Sequence, residues 1–396
     1  MFLHIDCNAY FASCEVATRP ELIGRPVVVA SDDENGGGIV LALTAEAKAL
    51  GIKRGIPLFQ VRNLIKVNKV TVCPADHEKY RRISRQIMDA VQHQQIVLGF
   101  VQYSVDEFFG TLPSDDPDEL RHYASTVKEM IFATTGIPVS CGLSQSYTLA
   151  KVATHYAKHY NGYGGICVLM PENRERALSL LDVADIWGIG RRLRASLYAD
   201  GIRTALQFAE LDEQDIRNRF ALPAQHTWHE LHGIPCIDLQ RPSKQRSISQ
   251  SRTFAYMIDN YNALDQQMRT FVASCAAKLR QQGSVCRTVQ VFLATNRHRK
   301  DLPQYCNGIS INLTTPSADT PTLVTAALSG LHQVYKEGYL YKQAGVALTN
   351  ISDEEGMQLD LFTAPDDERH RKLMRVADAI NQKFGNNTVG FGISAE

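Results

Sequence analysis

Three acids stand where acids are costly. Asp6 ends the apolar run Phe2-Leu3-His4-Ile5, and Asp106-Glu107 lies within Tyr103-Ser104-Val105-Asp106-Glu107-Phe108-Phe109-Gly110. An acid at the end of a buried strand either caps the following helix or holds a cation. Neighbours on a regular strand point to opposite faces, so one member of the adjacent pair would be buried, and a buried unpaired carboxylate is costly. A bend at this point, with a cation between the pair and Asp6, satisfies both acids. A surface hairpin exposing them is the other arrangement, and the flanking Val, Phe and Tyr residues weigh against it. Two hard cations about 3.5–4 Å apart on carboxylate oxygens activate an attacking hydroxyl and neutralise a leaving phosphate group. Mg²⁺ suits such a site because it takes a few carboxylates plus substrate oxygens instead of a full protein cage.

Several elements must position these acids. Phe2–Ile5 and Val27–Ala30 read as buried strands, and Gly38–Leu43 as a third, followed by a short helix over Ala45–Leu50 closed by Gly51. Val70–Cys73 is a strand ended by Pro74, and Asp76 caps a long helix reaching His93. Ile96–Ser104 and Glu107–Leu112 are β-rich runs separated by a tight bend. Glu119–Thr135 reads as a helix, Val139–Leu143 as a strand and Tyr147–His159 as a helix. This alternation predicts an α/β core sheet with helices packed on it. From Asn173 to about His232 the segments are helical and short-looped, without convincing strands. Ile234 to Lys244, with two prolines, reads as a linker. Beyond it, strand (Ser247–Ala255), helix (Ala263–Arg280), strands (Thr288–Thr295 and Gly308–Leu313), helix (Thr320–Tyr335) and strand (Gln343–Ile351) give a β-α-β-β-α-β order.

With 396 residues the chain is long for one domain. No apolar stretch is long enough to span a bilayer, and the start lacks a basic region followed by a long apolar run, which predicts a cytoplasmic protein. The nine cysteines form no C-x-x-C pair and are read as reduced thiols filling apolar space. The net charge of zero conceals an asymmetry: Gln245 to Asn350 carries eleven Lys/Arg against five acids, whereas Asp353 to Glu368 carries seven acids and no base. One region is composed for phosphates, and the tail after it is not.

Four segments resemble one family in order and spacing. Asp6-Cys7-Asn8-Ala9-Tyr10-Phe11-Ala12-Ser13-Cys14-Glu15 and Tyr103-Ser104-Val105-Asp106-Glu107 resemble the two metal-binding motifs of Y-family translesion DNA polymerases. Ala45-Glu46-Ala47-Lys48-Ala49-Leu50-Gly51-Ile52-Lys53-Arg54-Gly55 resembles the finger segment over the incoming nucleotide. Gly142-Leu143-Ser144-Gln145-Ser146-Tyr147-Thr148-Leu149-Ala150-Lys151 resembles the turn presenting a triphosphate-binding lysine. The Asp-x-Asn-Ala-Tyr/Phe form, the Ala-Glu-Ala-Lys segment and the length point to the UmuC branch.

The resemblance implies a multidomain α/β and α+β chain built as a right hand. Its parts are a palm (1–22 and 75–165) with a ferredoxin-like sheet, small fingers (23–74), a helical thumb (166–235), a linker (236–244), a little finger (245–350) and a C-terminal tail (351–396). It also implies roles. Asp6, Asp106 and Glu107 match the ligands of two Mg²⁺ ions, with Mn²⁺ as a substitute, and the main-chain carbonyl of Cys7 matches a further ligand. Lys151 matches the triphosphate lysine, and a compact ammonium suits phosphate. Lys48 stands where many relatives carry arginine, Thr44 replaces a common Asn, and Ala45 stands where many relatives have tyrosine. Main-chain N–H groups of Tyr10 and Phe11 then carry more of the grip. Phe11 matches the steric gate that leaves no room for a 2′-hydroxyl.

The remaining features concern partners. Val183-Ala184-Asp185-Ile186-Trp187-Gly188-Ile189-Gly190, followed by Arg191, Arg192 and Arg194, reads as a helix-hairpin-helix whose glycines Gly188 and Gly190 let amides approach a DNA phosphate. Arg252, Arg297, Arg299 and Lys300 lie on or near strands of the basic unit and can track backbone phosphates. Gln358-Leu359-Asp360-Leu361-Phe362 is too short for a core and suits an apolar groove on a partner. It resembles the bacterial sliding-clamp-binding peptide, through Gln358, Leu359, Leu361 and Phe362. The expected activity is error-prone translesion synthesis on primer–template DNA from deoxynucleoside triphosphates, as in SOS mutagenesis. A UmuD-like accessory subunit and a recombinase filament are implied partners, and the bacterial nucleoid is the implied place. The other reading is a DNA- and clamp-binding adaptor without catalysis, against which the intact acids and Lys151 argue.

Overall fold

The computed structural model describes residues 1–31, 38–239, 244–354, 368–385 and 388–389. The chain forms two compact units, Met1–Pro242 and Ser243–Glu396.

In the first unit, β1 (Phe2–Cys7) leads through Ala9, in the left-handed region at φ 47°, into α1 (Tyr10–Thr18). β2 (Val27–Ala30), β3 (Val40–Leu43), α2 (Ala45–Ala49), α3 (Arg62–Val67) and β4 (Thr71–Pro74) follow. Next come α4 (His77–Gln94), β5 (Leu98–Gln102), β6 (Glu107–Thr111), α5 (Pro117–Thr135), β7 (Val139–Ser144), α6 (Tyr147–His159) and β8 (Ile166–Val168). Asp76 caps α4 as expected, accepting from the Lys79 N–H at 2.9 Å.

The alternation does not build one sheet. β5-β6-β1-β7-β8 form a five-stranded sheet, and β3-β2-β4 form a separate three-stranded one. The first is antiparallel except for the β7–β8 pair. The reason lies in the connections: β5 and β6 join through a tight bend, which can only pair antiparallel neighbours. β8 adds a strand that the sequence pattern does not predict; three residues long, it carries too little periodicity to register.

Two cores pack on these sheets, and the larger one also takes in Val27, Val29 and Cys73 of the three-stranded sheet. Leu3, Ile5 and Cys7 of β1 pack with Phe108, Leu120, Val127, Ile131 and Cys141 under the five-stranded sheet. Val28, Val40, Ala47 and Ile52 form a small core with the three-stranded one. The chain then becomes helical: α7 (Pro171–Leu180), α8 (Arg191–Ala199), α9 (Ala205–Ala209), α10 (Glu213–Arg219) and α11 (Leu222–Leu231) gather around Leu178, Leu197, Phe208 and Leu231.

The second unit has the expected β-α-β-β-α-β order: β9 (Ile248–Ile258), α12 (Tyr261–Gln281), β10 (Ser284–Thr295), β11 (Cys306–Ser317), α13 (Thr320–Val334) and β12 (Tyr341–Asp353). Its antiparallel sheet runs β11-β10-β12-β9 and rests on the apolar faces of α12 and α13, including Met268, Val272, Leu323 and Leu331. A last helix, α14 (Glu368–Phe384), docks through Met374 and Ala377, with Asp378 accepting two hydrogen bonds from Arg280 at 2.7 Å. Seven of the nine cysteines are buried as expected, but Cys306 at the start of edge strand β11 is exposed.

Candidate active site

The site forms on one face of β1, β6 and α6. On β1 the side chains alternate: Leu3, Ile5 and Cys7 enter the core, while His4 and Asp6 turn the other way, toward α6. On β6, Glu107 pairs directly with Asp6 in the cross-strand register. Two acids a hundred residues apart in sequence are thereby brought side by side.

The bend expected before Glu107 is present and its bonds are complete. The Tyr103 and Ser104 N–H groups donate to the Glu107 carbonyl at 2.9 and 3.1 Å. The Ser104 hydroxyl accepts from the Glu107 N–H at 3.1 Å and donates to Asp106 Oδ1 at 2.6 Å. The Asp106 carbonyl accepts from the Cys7 N–H at 2.9 Å, which fixes the turn to the end of β1. Asp106 therefore projects from the turn and Glu107 from the strand, half-exposed on the same rim.

Helix α6 supplies the opposite charges at helical spacing. Lys151 Nζ lies 2.7 Å from Glu107 Oε1, and Lys158 Nζ lies 2.5 Å from Asp6 Oδ1. Between them, one turn from Lys151, the Thr154 hydroxyl lies 2.8 Å from His4 Nδ1. Positions 151, 154 and 158 share one helix face. The helix can lie this close because of Gly142 on β7: a Cβ there would stand 2.2 Å from the Ala150 carbonyl oxygen and the Thr154 nitrogen.

The electrostatics follow from burial and these pairs. Burial raises the Asp6 pKa, opposed by Lys158. Burial acts in the same direction on Glu107, but the approach of His4 and the Lys151 ammonium outweigh it and hold this carboxyl at about 2. His4 is lowered by its almost complete burial, partly countered by Glu107 3.4 Å away. At neutral pH Glu107 is thus ionised.

These residues fit a cation. The donors are hard carboxylate oxygens, and Asp6 and Glu107 each already meet a positive group. Among the described residues no three His, Cys, Asp or Glu side chains converge as they stand, because Asp106 is turned to Ser104.

The other expected site residues fall into place unevenly. Tyr10 and Phe11 open α1, where first-turn N–H groups lack intrahelical acceptors. The Tyr10 side chain is buried, with its hydroxyl on the Tyr80 carbonyl at 2.6 Å. Phe11 stacks on Tyr80, ring centroids 4.4 Å apart at 14°. Tyr80 is itself fully buried, and its hydroxyl donates to Glu15 Oε1 at 2.8 Å. Glu15 in turn pairs with Lys79 at 2.9 Å and with Arg19. Lys48 is exposed on α2, beside a cleft also lined by Leu43, Ile52, Lys53 and Arg54. Thr44 is a different case: its hydroxyl accepts from the Val27 N–H and donates to the Arg25 carbonyl, so it stitches the three-stranded sheet together.

Gly188 has φ +94° and a Cβ there would meet the Thr227 hydroxyl at 2.6 Å, so this turn needs glycine. Gly190 caps α8 facing open space, with Arg191, Arg192 and Arg194 exposed on the helix. In the second unit, Arg252 is exposed on edge strand β9, while Arg297, Arg299 and Lys300 lie in the β10–β11 loop, and Arg299 is engaged by Asp301 at 2.6 Å. Gln358, Leu359, Leu361 and Phe362 lie outside the described residues.

Sequence reasoning misses Lys158, Thr154, His4, Tyr80 and Trp187. Lys158 is within its reach, since it stands two helical turns after Lys151 and must share its face. His4 alternates with Asp6. Tyr80 and Trp187 carry no comparable local signal.

Comparison with known proteins places this geometry. Residues 5–155 match the sequence model of the impB/mucB/samB family, and residues 245–361 match that family's C-terminal domain. The chain is 34% identical to Protein UmuC of Salmonella typhimurium, over 99% of this chain and 93% of that protein. It is 32% identical to Protein MucB of Escherichia coli, over 99% and 92%. With DNA polymerase IV of Dehalococcoides mccartyi it shares 28% over 98% and 96%. Among solved structures, a Y-family DNA polymerase chimera superposes with a TM-score of 0.69 at 19% identity, covering 89% of this chain and 99% of that one. An insertion ternary complex of Dbh DNA polymerase gives 0.54 at 17%, with the same coverage. Two domain matches and near-complete alignment establish that the chain belongs to the impB/mucB/samB family, the UmuC branch of the Y-family DNA polymerases.

Proposed function

We propose that Asp6, Asp106 and Glu107 are the nucleotidyl-transfer carboxylates of this chain. The chain is a DNA-directed DNA polymerase of the translesion class. The observation that carries the site reading is the cross-strand pair Asp6–Glu107, met from α6 by Lys158 and Lys151.

Two Mg²⁺ ions, with Mn²⁺ as a substitute, would be held by the three carboxylates and the Cys7 carbonyl, and would activate the primer hydroxyl and neutralise the leaving pyrophosphate. The chain's own groups orient the substrates. The rim of β1 and β6 offers oxygens, and α6 offers two ammonium groups suited to the triphosphate once the carboxylates take up metal. The first-turn N–H groups of α1 face the same charge. Phe11, backed by Tyr80, selects deoxyribose by excluding a 2′-hydroxyl.

The chain is divided, on this reading, into a palm (1–22 and 75–165), fingers (23–74), thumb (166–235) and little finger (245–350), with a linker (236–244) and a tail (351–396). Primer–template DNA would be held through Gly188, Gly190 and Arg191 and through Arg252, Arg297, Arg299 and Lys300. The peptide Gln358–Phe362 would dock on the sliding clamp. A UmuD-like subunit and a recombinase filament complete the assembly expected of this branch, in the bacterial cytoplasm at the nucleoid. Among the described residues no helix is long and apolar enough to cross a membrane.

Primer extension with Mg²⁺ on undamaged and abasic templates, with clamp and accessory subunits present, tests the reading against an Asp106→Ala/Glu107→Ala variant. Extension by the wild type that disappears in the variant supports it. Equal extension by both moves the metal site elsewhere, and none by either favours a DNA- and clamp-binding adaptor.

A further inference from the structure

Trp187 belongs to the turn that carries Gly188 and Gly190, yet its side chain returns to the catalytic sheet. The indole lies over Phe109, centroids 5.6 Å apart at 26°, and meets Tyr103 edge-on at 5.4 Å. Its Nε1–H donates to the Tyr103 hydroxyl at 3.2 Å. Tyr103, Phe109 and Trp187 together surround the Lys151 ammonium, with ring centroids 5.2, 5.7 and 5.1 Å from Nζ. Glu107 Oε1, at 2.7 Å, is its charged partner.

An ammonium within about 6 Å of ring faces is held by their quadrupoles, more strongly as it is desolvated. Two walls of this cage are part of the carboxylate hairpin itself. Tyr103 stands at the bend and Phe109 two residues beyond Glu107, on the same face. The third wall comes from the turn after Val183–Asp185, where the Thr227 hydroxyl lies between the Pro223 carbonyl at 3.1 Å and the Trp187 carbonyl at 3.3 Å. Lys151 is thus fixed from both sides: by the strand that bears Glu107 and by the turn that faces DNA.

We propose that Trp187 is a positioning residue that couples the DNA-facing turn to the catalytic carboxylates by holding Lys151 within the ring cage beside Glu107. The inference rests on the reading of Glu107 as a metal ligand and of the Gly188–Gly190 turn as a duplex contact. A duplex seated on the turn then steadies the cage, which keeps the ammonium when Glu107 passes to metal; removing the indole leaves the duplex bound but leaves Lys151 on Glu107, in competition with the metal. By linkage, the same coupling makes metal uptake tighter on DNA-bound enzyme than on free enzyme.

The test compares Trp187→Leu and Trp187→Phe with the wild type in single-nucleotide insertion by the full assembly, reading kcat, the Mg²⁺ midpoint and the primer–template Kd separately. The expected result for Trp187→Leu is a kcat loss of about tenfold, equivalent to about 1.4 kcal/mol, and a raised Mg²⁺ midpoint, with Kd within about twofold. Trp187→Phe should recover most of the loss. In a Lys151→Met background Trp187→Leu should add less than about twofold, because coupled residues are not additive. Unchanged kcat and Mg²⁺ midpoint overturn the proposal, and so does a loss confined to DNA affinity. Should Trp187→Leu not fold, Tyr103→Phe, which removes only the hydroxyl acceptor, decides on the same readings: a raised Mg²⁺ midpoint supports the coupling and an unchanged one sinks it. Failure of the Asp106→Ala/Glu107→Ala control to abolish insertion would count against the carboxylate reading instead, so the two are separable.

Discussion

The face of β1, β6 and α6 and the open face of the β11-β10-β12-β9 sheet treat charge in opposite ways. On the first, six polar groups (His4, Asp6, Glu107, Lys151, Thr154 and Lys158) are matched in pairs at 2.5–3.4 Å and are largely shielded from water. On the second, cross-strand partners such as Ser251–Gly345, Gln290–Ser310 and Phe292–Gly308 carry no charge. Of the basic residues assigned to DNA, Arg252 lies on the edge strand and Arg297, Arg299 and Lys300 lie in a loop. The difference teaches what each region has to fix. Chemistry needs charges immobilised to within a fraction of an ångström, so the first site accepts desolvation and compensates it pairwise. A grip on a polymer of any sequence needs charges that remain hydrated and adjustable.

Breaking the paired face should have the largest effect. Asp106→Ala/Glu107→Ala removes charge stabilisation worth several kcal/mol, a drop of at least about 10³-fold in insertion rate, checked by single-turnover insertion with Mg²⁺. Lys158→Met, removing one preorganised positive group, should cost about 10²-fold in kcat. If that variant matches the wild type, the pairing of α6 with β1 is structural and the comparison loses its first half.

Sugar selection sharpens the same side. Phe11→Ala should lower discrimination against ribonucleotides by about 10²-fold, read from the ratio of kcat/KM for paired deoxy- and ribonucleotides. Tyr80→Leu withdraws the ring beneath the gate, a contact worth about 0.5–1.5 kcal/mol, and should lower that ratio by up to about tenfold. Discrimination that survives both changes would assign Phe11 and Tyr80 to the core alone.

The smallest effects belong to the second unit. Each phosphate contact removed should flatten the dependence of log K on log salt by about 0.9. Arg297→Ala/Lys300→Ala should therefore flatten it by about two, measured by fluorescence anisotropy across a salt series. Arg299→Ala should change least, because its guanidinium is already engaged by Asp301.

Local periodicity and punctuation are legible in the order of the amino acids. The strand Val27–Ala30 and the helix Tyr147–His159 match their sequence pattern to the residue, and so does the cap at Asp76. The β-α-β-β-α-β order of the second unit follows from its alternating patterns. These features depend on side-chain period and on residues next to one another. The bend between Ser104 and Glu107 follows from the cost of burying adjacent acids. The division of the first 165 residues into two sheets does not follow, because strand partnership is a choice among distant segments that periodicity leaves open.

The sequence by itself pointed to the three acids Asp6, Asp106 and Glu107 and, through the family resemblance, to Lys151 on α6. Only the tertiary structure decided that Asp6 stands opposite Glu107, that Lys158 answers Asp6, that Thr44 serves its own sheet, and that Tyr80 and Trp187 stand behind Phe11 and Lys151. The physical reason is range. Backbone sterics and side-chain period act over a few residues, whereas cross-strand register and the docking of a distant ring are settled only when the whole core closes.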